Sequence, residues 1–177
     1  MTSTRLSFES RMLRFVAALI VLAAIFVLTN GPSFMWQQFG AADLGQVDFT
    51  TLQRRSTPND ALVCRKDICA ATADLEPLEF DVPAHELYRL FQAAIALEPR
   101  LERVGADEKE GTLRYVQRSR WMGFSDTINV KINPLENGHS IVLLYSRSQL
   151  GTGDFGVNRA RLARWNALLQ ATAQARK

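Results

Sequence analysis

Residues 126–147 read D-T-I-N-V-K-I-N-P-L-E-N-G-H-S-I-V-L-L-Y-S-R. Ile128, Val130 and Ile132 alternate with Thr127, Asn129 and Lys131, the period-2 pattern of a half-buried strand. Asn133-Pro134 and Asn137-Gly138 then mark a turn, and the apolar run from Ile141 to Tyr145 reads as the next strand. Two strands joined by so short a turn pair antiparallel, because a parallel partner needs a long crossover.

Working outward, strands are expected at about 126–133 and 140–147, and upstream at about 100–106 and 112–120. Lys109-Glu110-Gly111 and Met122-Gly123 part them. Leu78, Phe80 and Val82 alternate with Glu79 and Asp81, a further strand. Pro83 sits where a helix begins, and Leu87, Leu90, Phe91, Ala94 and Ile95 follow at helical spacing up to Pro99. A last helix is expected over about 156–174, with Leu162, Trp165 and Leu169 buried and Leu168 beside them. Thr57-Pro58-Asn59-Asp60 is a turn signal, and short strands at about 61–65 and 68–73 follow it. Consecutive strands with segregated helices define an α+β class. The expected domain is an antiparallel sheet of about five to seven strands packed with two helices, the second C-terminal.

Ahead of this domain lies an apolar run, Phe15 to Leu28, flanked by Arg11 and Arg14. From Phe15 to Trp36 there is no ionisable side chain, a length that spans a bilayer. Phe34 and Trp36 suit the headgroup boundary. The rival reading is a cleaved signal peptide with Arg5, Arg11 and Arg14 as its charged start; Thr29 to Ser33 offers it only passable cleavage points. Three Arg and one Glu precede the run, and the next cation is Arg54. The positive-inside rule then leaves the N-terminus in the cytoplasm. In a bacterial cell this is a single-pass inner-membrane protein with a periplasmic domain. The boundaries read as a tail 1–14, an anchor 15–36, a linker 37–57 and a domain 58–177.

Cys64 and Cys69 are the chain's two cysteines, with four residues between them. A disulfide in an oxidising compartment fits them, worth about 2 kcal/mol by loop closure. Zinc fits poorly: two ligands are here, and His85 and His139 are distant in sequence. The spacing is not the C-x-x-C of a thioredoxin-like site. No metal or cofactor is expected.

The net charge of +3 is unevenly spread. Residues 37–110 hold 8 Lys/Arg against 14 Asp/Glu, and 111–177 hold 10 against 3. That is compatible with two halves that mix on one surface, or with a basic face for anionic headgroups. Nucleic acid is not expected, since no stacking-aromatic motif accompanies the charge.

One segment departs from scaffold: Tyr145 to Arg161, Y-S-R-S-Q-L-G-T-G-D-F-G-V-N-R-A-R. It leaves a strand, passes glycines 151, 153 and 156, and enters the last helix. A helix N-terminus offers free N–H donors to an anion, but Asp154 can cap the helix and occupy them. The segment resembles the signature of the DUF1499 family, S-x-S-R/Q-x-G-x-x-D-x-G-x-N-R-x-R. Pro58-Asn59, Arg114 to Ser119 and Gly123-Phe124-Ser125-Asp126 match as well, so the likeness covers about residues 48–171. Where that family often has a cysteine after Pro-Asn, this chain has Asp60. The resemblance implies a small, often membrane-attached domain without an established activity, and it transfers no catalytic residues.

The polar positions of this signature are Asp126, Ser146, Arg147, Ser148, Asp154, Asn158, Arg159 and Arg161. If Asp126 starts its strand where the neighbouring strand ends at Ser146–Ser148, they gather at one end of the sheet. They are the candidate ligand-binding residues. Three functions follow. A sheet wrapped on a long helix, an order that resembles helix-grip proteins at fold level, would hold a lipid or other small apolar or anionic ligand. A non-catalytic envelope domain would use its surface on a protein partner of unknown kind. An enzyme would rely on Asp126 or Asp154, without any recognisable nucleophile, metal or nucleotide motif. Catalysis is the least favoured of the three.

Overall fold

A computed structural model describes residues 2–30 and 42–176. They form two compact units: one holds α1 (Thr2–Asn30) and Arg120–Gly123, and the other runs from residue 42 to Ser119 and from Phe124 onward. Within α1, Ser10–Thr29 is long and apolar enough to cross a membrane, with a mean hydropathy of 2.6 and its side chains exposed. The expected span continued to Trp36, but residues 31–36 lie outside the described ones.

The second unit is an α+β domain. Its strands are β1 (Asp60–Val63), β2 (Glu79–Phe80), β3 (Leu101–Asp107), β4 (Thr112–Arg118), β5 (Ser125–Pro134) and β6 (Ser140–Ser148). They make one antiparallel sheet in the order β1-β6-β5-β4-β3, with β2 also on β6. The β5–β6 turn carries Asn137 and Gly138 at positive φ, as an Asn-Gly hairpin requires. Helix α2 (Ala84–Ala94) follows Pro83, and α3 (Val157–Gln174) closes the chain.

Both helices lie on one face. Ile128, Val130, Ile132, Val142, Leu144, Leu113 and Tyr115 meet Leu87, Leu90, Phe91, Leu162, Trp165 and Leu169 there in one core. Trp165 is the centrepiece, fully buried and packed edge-on against Phe91 and Tyr115 with ring centroids 5.8 and 6.1 Å away. Leu87, Leu90, Phe91, Leu162, Trp165 and Leu169 face inward as their periodicity marks; Tyr88 joins them unannounced, and Ala94 is only partly buried.

The other face is not open to solvent. Phe49, Leu52, Leu62, Cys64, Cys69, Ile141, Leu143 and Tyr145 form a second apolar cluster on it. Two expectations change here. The chain from residue 42 packs on the sheet, so packed structure begins ahead of 58; residues 37–41 of the expected linker lie outside the described ones. The cysteine segment is also no two-stranded hairpin. After β1 the chain turns at Arg65–Ile68 and returns through Asp74 and Leu75, whose N–H groups donate to the Leu62 carbonyl. Residues 68–73 lack the alternation that a strand needs, and the Cys64–Cys69 disulfide closes the loop against the second cluster.

The polar face of β5 is consumed by residues 42–47. Leu44 N–H donates to Thr127 Oγ1 (2.9 Å), and Thr127 Oγ1 donates to the Ala42 carbonyl (3.1 Å). Asn129 bridges the same segment, accepting from Val47 N–H and donating to the Gly45 carbonyl. Arg114 on β4 holds Asp43 through both carboxylate oxygens at 2.9 and 3.0 Å. This irregular strap satisfies side chains that its own lack of periodicity hides in the sequence.

Candidate functional site

Residues at even positions of β5 and β6 face the helices, and so does Gln117 on β4; Asn59, just ahead of β1, turns its carbonyl to Asn158. The register sets Gln117 opposite Asp126 and Asp126 opposite Ser148. A polar row therefore crosses the sheet where the strands end, just beyond the apolar core. Arg161 reaches into it from α3.

The row is closed by short hydrogen bonds. Arg161 donates from Nη2 to Asp126 Oδ2 (2.5 Å), from Nε to Gln117 Oε1 (2.5 Å), and from Nη1 to Ser146 Oγ (2.7 Å) and Asn158 Oδ1 (2.5 Å). Asn158 donates to the Asn59 carbonyl and to Ser148 Oγ, both at 3.1 Å. Arg161 is 6% exposed and Asp126 8%. Charges taken this far from water persist only when paired and hydrogen-bonded, and these are. Four of the five guanidinium N–H groups are thereby engaged within the domain.

Asp154 caps the helix. Its carboxylate accepts from the N–H groups of Gly156 and Asn158, each at 2.9 Å, taking donors that an anion would otherwise meet. Phe155, between them, is held at φ +53° with its ring fully exposed.

The structure thus brings Asp126, Ser146, Ser148, Asn158 and Arg161 into one cluster, and places Asp154 at the helix start that carries two of them. Arg147 and Arg159 stand apart. Arg147, at an odd strand position, turns to the strap face and donates to the Leu44 carbonyl (2.8 Å), while Arg159 lies on the exposed side of α3. Gln117 and Asn59 join the cluster without having been singled out. For Gln117 the signal was a polar residue at an inward strand position; Asn59 takes part through its main-chain carbonyl, which no side-chain pattern reveals.

On the strap face a second polar group forms around Asp60. Arg54 Nη2 pairs with it at 2.6 Å and Tyr145 Oη donates to it at 2.7 Å, while Arg54 Nη1 reaches Asp74 at 2.9 Å. Burial and the neighbouring Asp60 carboxylate push the Tyr145 phenol well above its ordinary value. Among the described residues no cluster of three His, Cys, Asp or Glu side chains can hold a metal ion.

A groove opens at the other end of α3, away from the polar row. It lies between residues 78–82, α2 and the last turns of α3, with a volume of about 330 Å³. Leu78, Phe80, Val82, Leu90 and Ala173 give it an apolar lining, and Glu79, Asp81, Glu86 and Arg176 bring charge to it. His139 braces one wall, with Nδ1 2.9 Å from Glu79 and Nε2 3.4 Å from Asp81. Its lining comes from two segments distant in sequence, residues 78–90 and 170–176.

The chain thus holds a candidate membrane helix and a compact α+β domain with a buried Asp-Arg row and an apolar groove. The chain belongs to the DUF1499 family, described as a protein of unknown function, whose model matches residues 47–169. No curated protein matches it. Among solved structures it is similar to the di-domain ARO/CYC BexL from the BE-7585A biosynthetic pathway. That match has 16% identity and a TM-score of 0.42, and covers 65% of this chain but 45% of that one. It is also similar to Ara h 8.0201 (12% identity, TM-score 0.39, 56% of this chain and 95% of that one). A third is protein CV1439 from Chromobacterium violaceum (13%, 0.38, 66% and 96%). Nothing is transferred from these three.

Proposed function

We propose that this chain is a membrane-tethered periplasmic binding domain, and that it seats a small apolar ligand in the groove between residues 78–82, α2 and α3. The groove itself carries the reading: an apolar floor of Leu78, Phe80, Val82, Leu90 and Ala173 with charge confined to its edge. Three carboxylates against one arginine there favour a neutral or cationic head over an anionic one. The space between sheet and helix centre, where a helix-grip ligand would sit, is occupied by Trp165, Phe91 and Tyr115.

The periplasmic address rests on the arginines before the apolar run and on a disulfide suited to an oxidising compartment. Binding is preferred to catalysis because Asp126 is held by Arg161 and Asp154 is spent on the helix cap.

The test is a titration of the full chain in nanodiscs, labelled at Leu, Val and Ala methyls, with hexylammonium and separately with hexanoate. Shifts at Leu78, Val82, Leu90 and Ala173, larger for the ammonium, are expected. No shift at these methyls with either compound overturns the proposal.

A further inference from the structure

The second unit hides its large apolar side chains with a few exceptions. Among its described residues, Leu97, Phe124, Phe155 and Val157 stay exposed; the first three sit in connections at one end of the sheet, and Val157 opens α3 at that same end. Leu97 lies between α2 and β3, where Arg118 N–H donates to the Arg100 carbonyl. Phe155 and Val157 follow β6, next to the strand ends at Ser125 and Ser148. Leu97 is 96% exposed, Phe155 106% and Val157 51%.

Phe155 is the sharpest of these. A bulky side chain at φ +53° costs about 1–2 kcal/mol, and here no burial within the domain offsets it. Its backbone is fixed by Asp154, which holds the N–H groups on either side of Val157. The ring is thus presented outward on a fixed turn.

The first described residues of the second unit lie at the same end. Ala42 and Leu44 are bonded to Thr127, two residues into β5. From Thr29, the last residue of the candidate span, to Ala42 the chain reaches at most about 45 Å. The side chains of Arg55, in the connection into β1, and Arg159, in the first turn of α3, are exposed and make no hydrogen bond or ion pair among the described residues. Exposed apolar tips with free guanidiniums suit a bilayer interface bearing anionic headgroups.

We propose that this end of the domain docks on the membrane surface, inserting Phe155, Val157 and Leu97 among the headgroups while Arg55 and Arg159 meet lipid phosphates. The proposal rests on the tethered reading and deepens it. It turns the ligand groove, at the opposite end of α3, toward the periplasm.

The test uses the full chain in nanodiscs containing phosphatidylglycerol, with a photo-crosslinking phenylalanine analogue at position 155, 97 or 136. Lipid adducts at 155 and 97, none at Glu136 on the β5–β6 turn, and their loss in phosphatidylcholine alone are the expected results. Adducts equally at 136, adducts to protein in place of lipid, or none at 155 overturn docking. Alkaline carbonate extraction run in parallel separates the two readings: a chain released by carbonate fails as a tethered protein, and one retained without adducts fails only as a docked one.

Discussion

Arg161 and Asp126 sit on different layers of the domain, α3 and β5, and meet through Nη2 and Oδ2 at 2.5 Å. That contact ties the C-terminal helix to the sheet at the point where the apolar core ends. Replacing Arg161 with Ala strands the Asp126 carboxylate, so unfolding free energy should fall by about 3–5 kcal/mol, read by thermal and urea melts in mild detergent. Asp126→Asn should also destabilise, by less, since the amide still accepts from Arg161. A fully stable Arg161→Ala variant would mean the row is not structural.

Trp165 fills the middle of the sheet–helix interface, fully buried against Phe91 and Tyr115. Trp165→Ala should cost about 3–5 kcal/mol in the same melts. A loss under 1 kcal/mol, roughly a surface value, would contradict the packing described.

The Cys64–Cys69 loop is short and seated on the second apolar cluster. The double Cys→Ser variant should lose about 2 kcal/mol and no longer respond to reductant. A wild-type melt indifferent to reductant would show that the bond contributes nothing.

Phe155→Gly removes a strained residue and loses no buried area. Its melting point should equal or exceed that of the parent, because glycine adopts positive φ freely. A clear drop would mean that the ring packs within the domain.

The three phenols titrate late. Burial raises Tyr88, lifts Tyr115 to about 12, and with Asp60 lifts Tyr145 further. The folded pKa values exceed the unfolded ones, so this contribution is complete below pH 10 and is lost as pH rises through the folded values. Absorbance at 295 nm should show Tyr115 and Tyr145 still largely un-ionised at pH 10.5 in the folded chain, about where free tyrosine is largely ionised. Ordinary titration at pH 10 would contradict this burial. At the acid end, burial raises Glu98 but the Arg164, Trp165 and Gln117 side chains outweigh it, and the carboxyl lies below its ordinary value. Its contribution is present above about 4.3 and fades as pH falls through the lower folded value, so Glu98→Gln should flatten stability between pH 5 and 3.

Much of this architecture can be read along the chain. The alternation of Ile128, Val130 and Ile132 marks the inner face of β5, and the spacing of Leu162, Trp165 and Leu169 marks that of α3. Other parts resist. Thr127 and Asn129 look like a solvent face, yet both are fully buried because the strap lies over them. An irregular strap has no period to find; the hint was that these central positions are uncharged. The polar cluster is foreseeable from its residue types and the register of β5 on β6, but Arg147 needed the odd-even rule to be set apart. The groove is the least legible feature. Its walls come from residues 78–90 and 170–176, and each segment alone reads as ordinary core edge.

The most direct measurement is native mass spectrometry of the chain extracted from its own membranes in mild detergent, beside an Ala173→Trp variant shown by melting to be folded. The groove account predicts a stoichiometric small-molecule adduct on the parent chain and its loss when the tryptophan fills the groove. A bare parent chain in repeated preparations, or an adduct that survives Ala173→Trp, would contradict it.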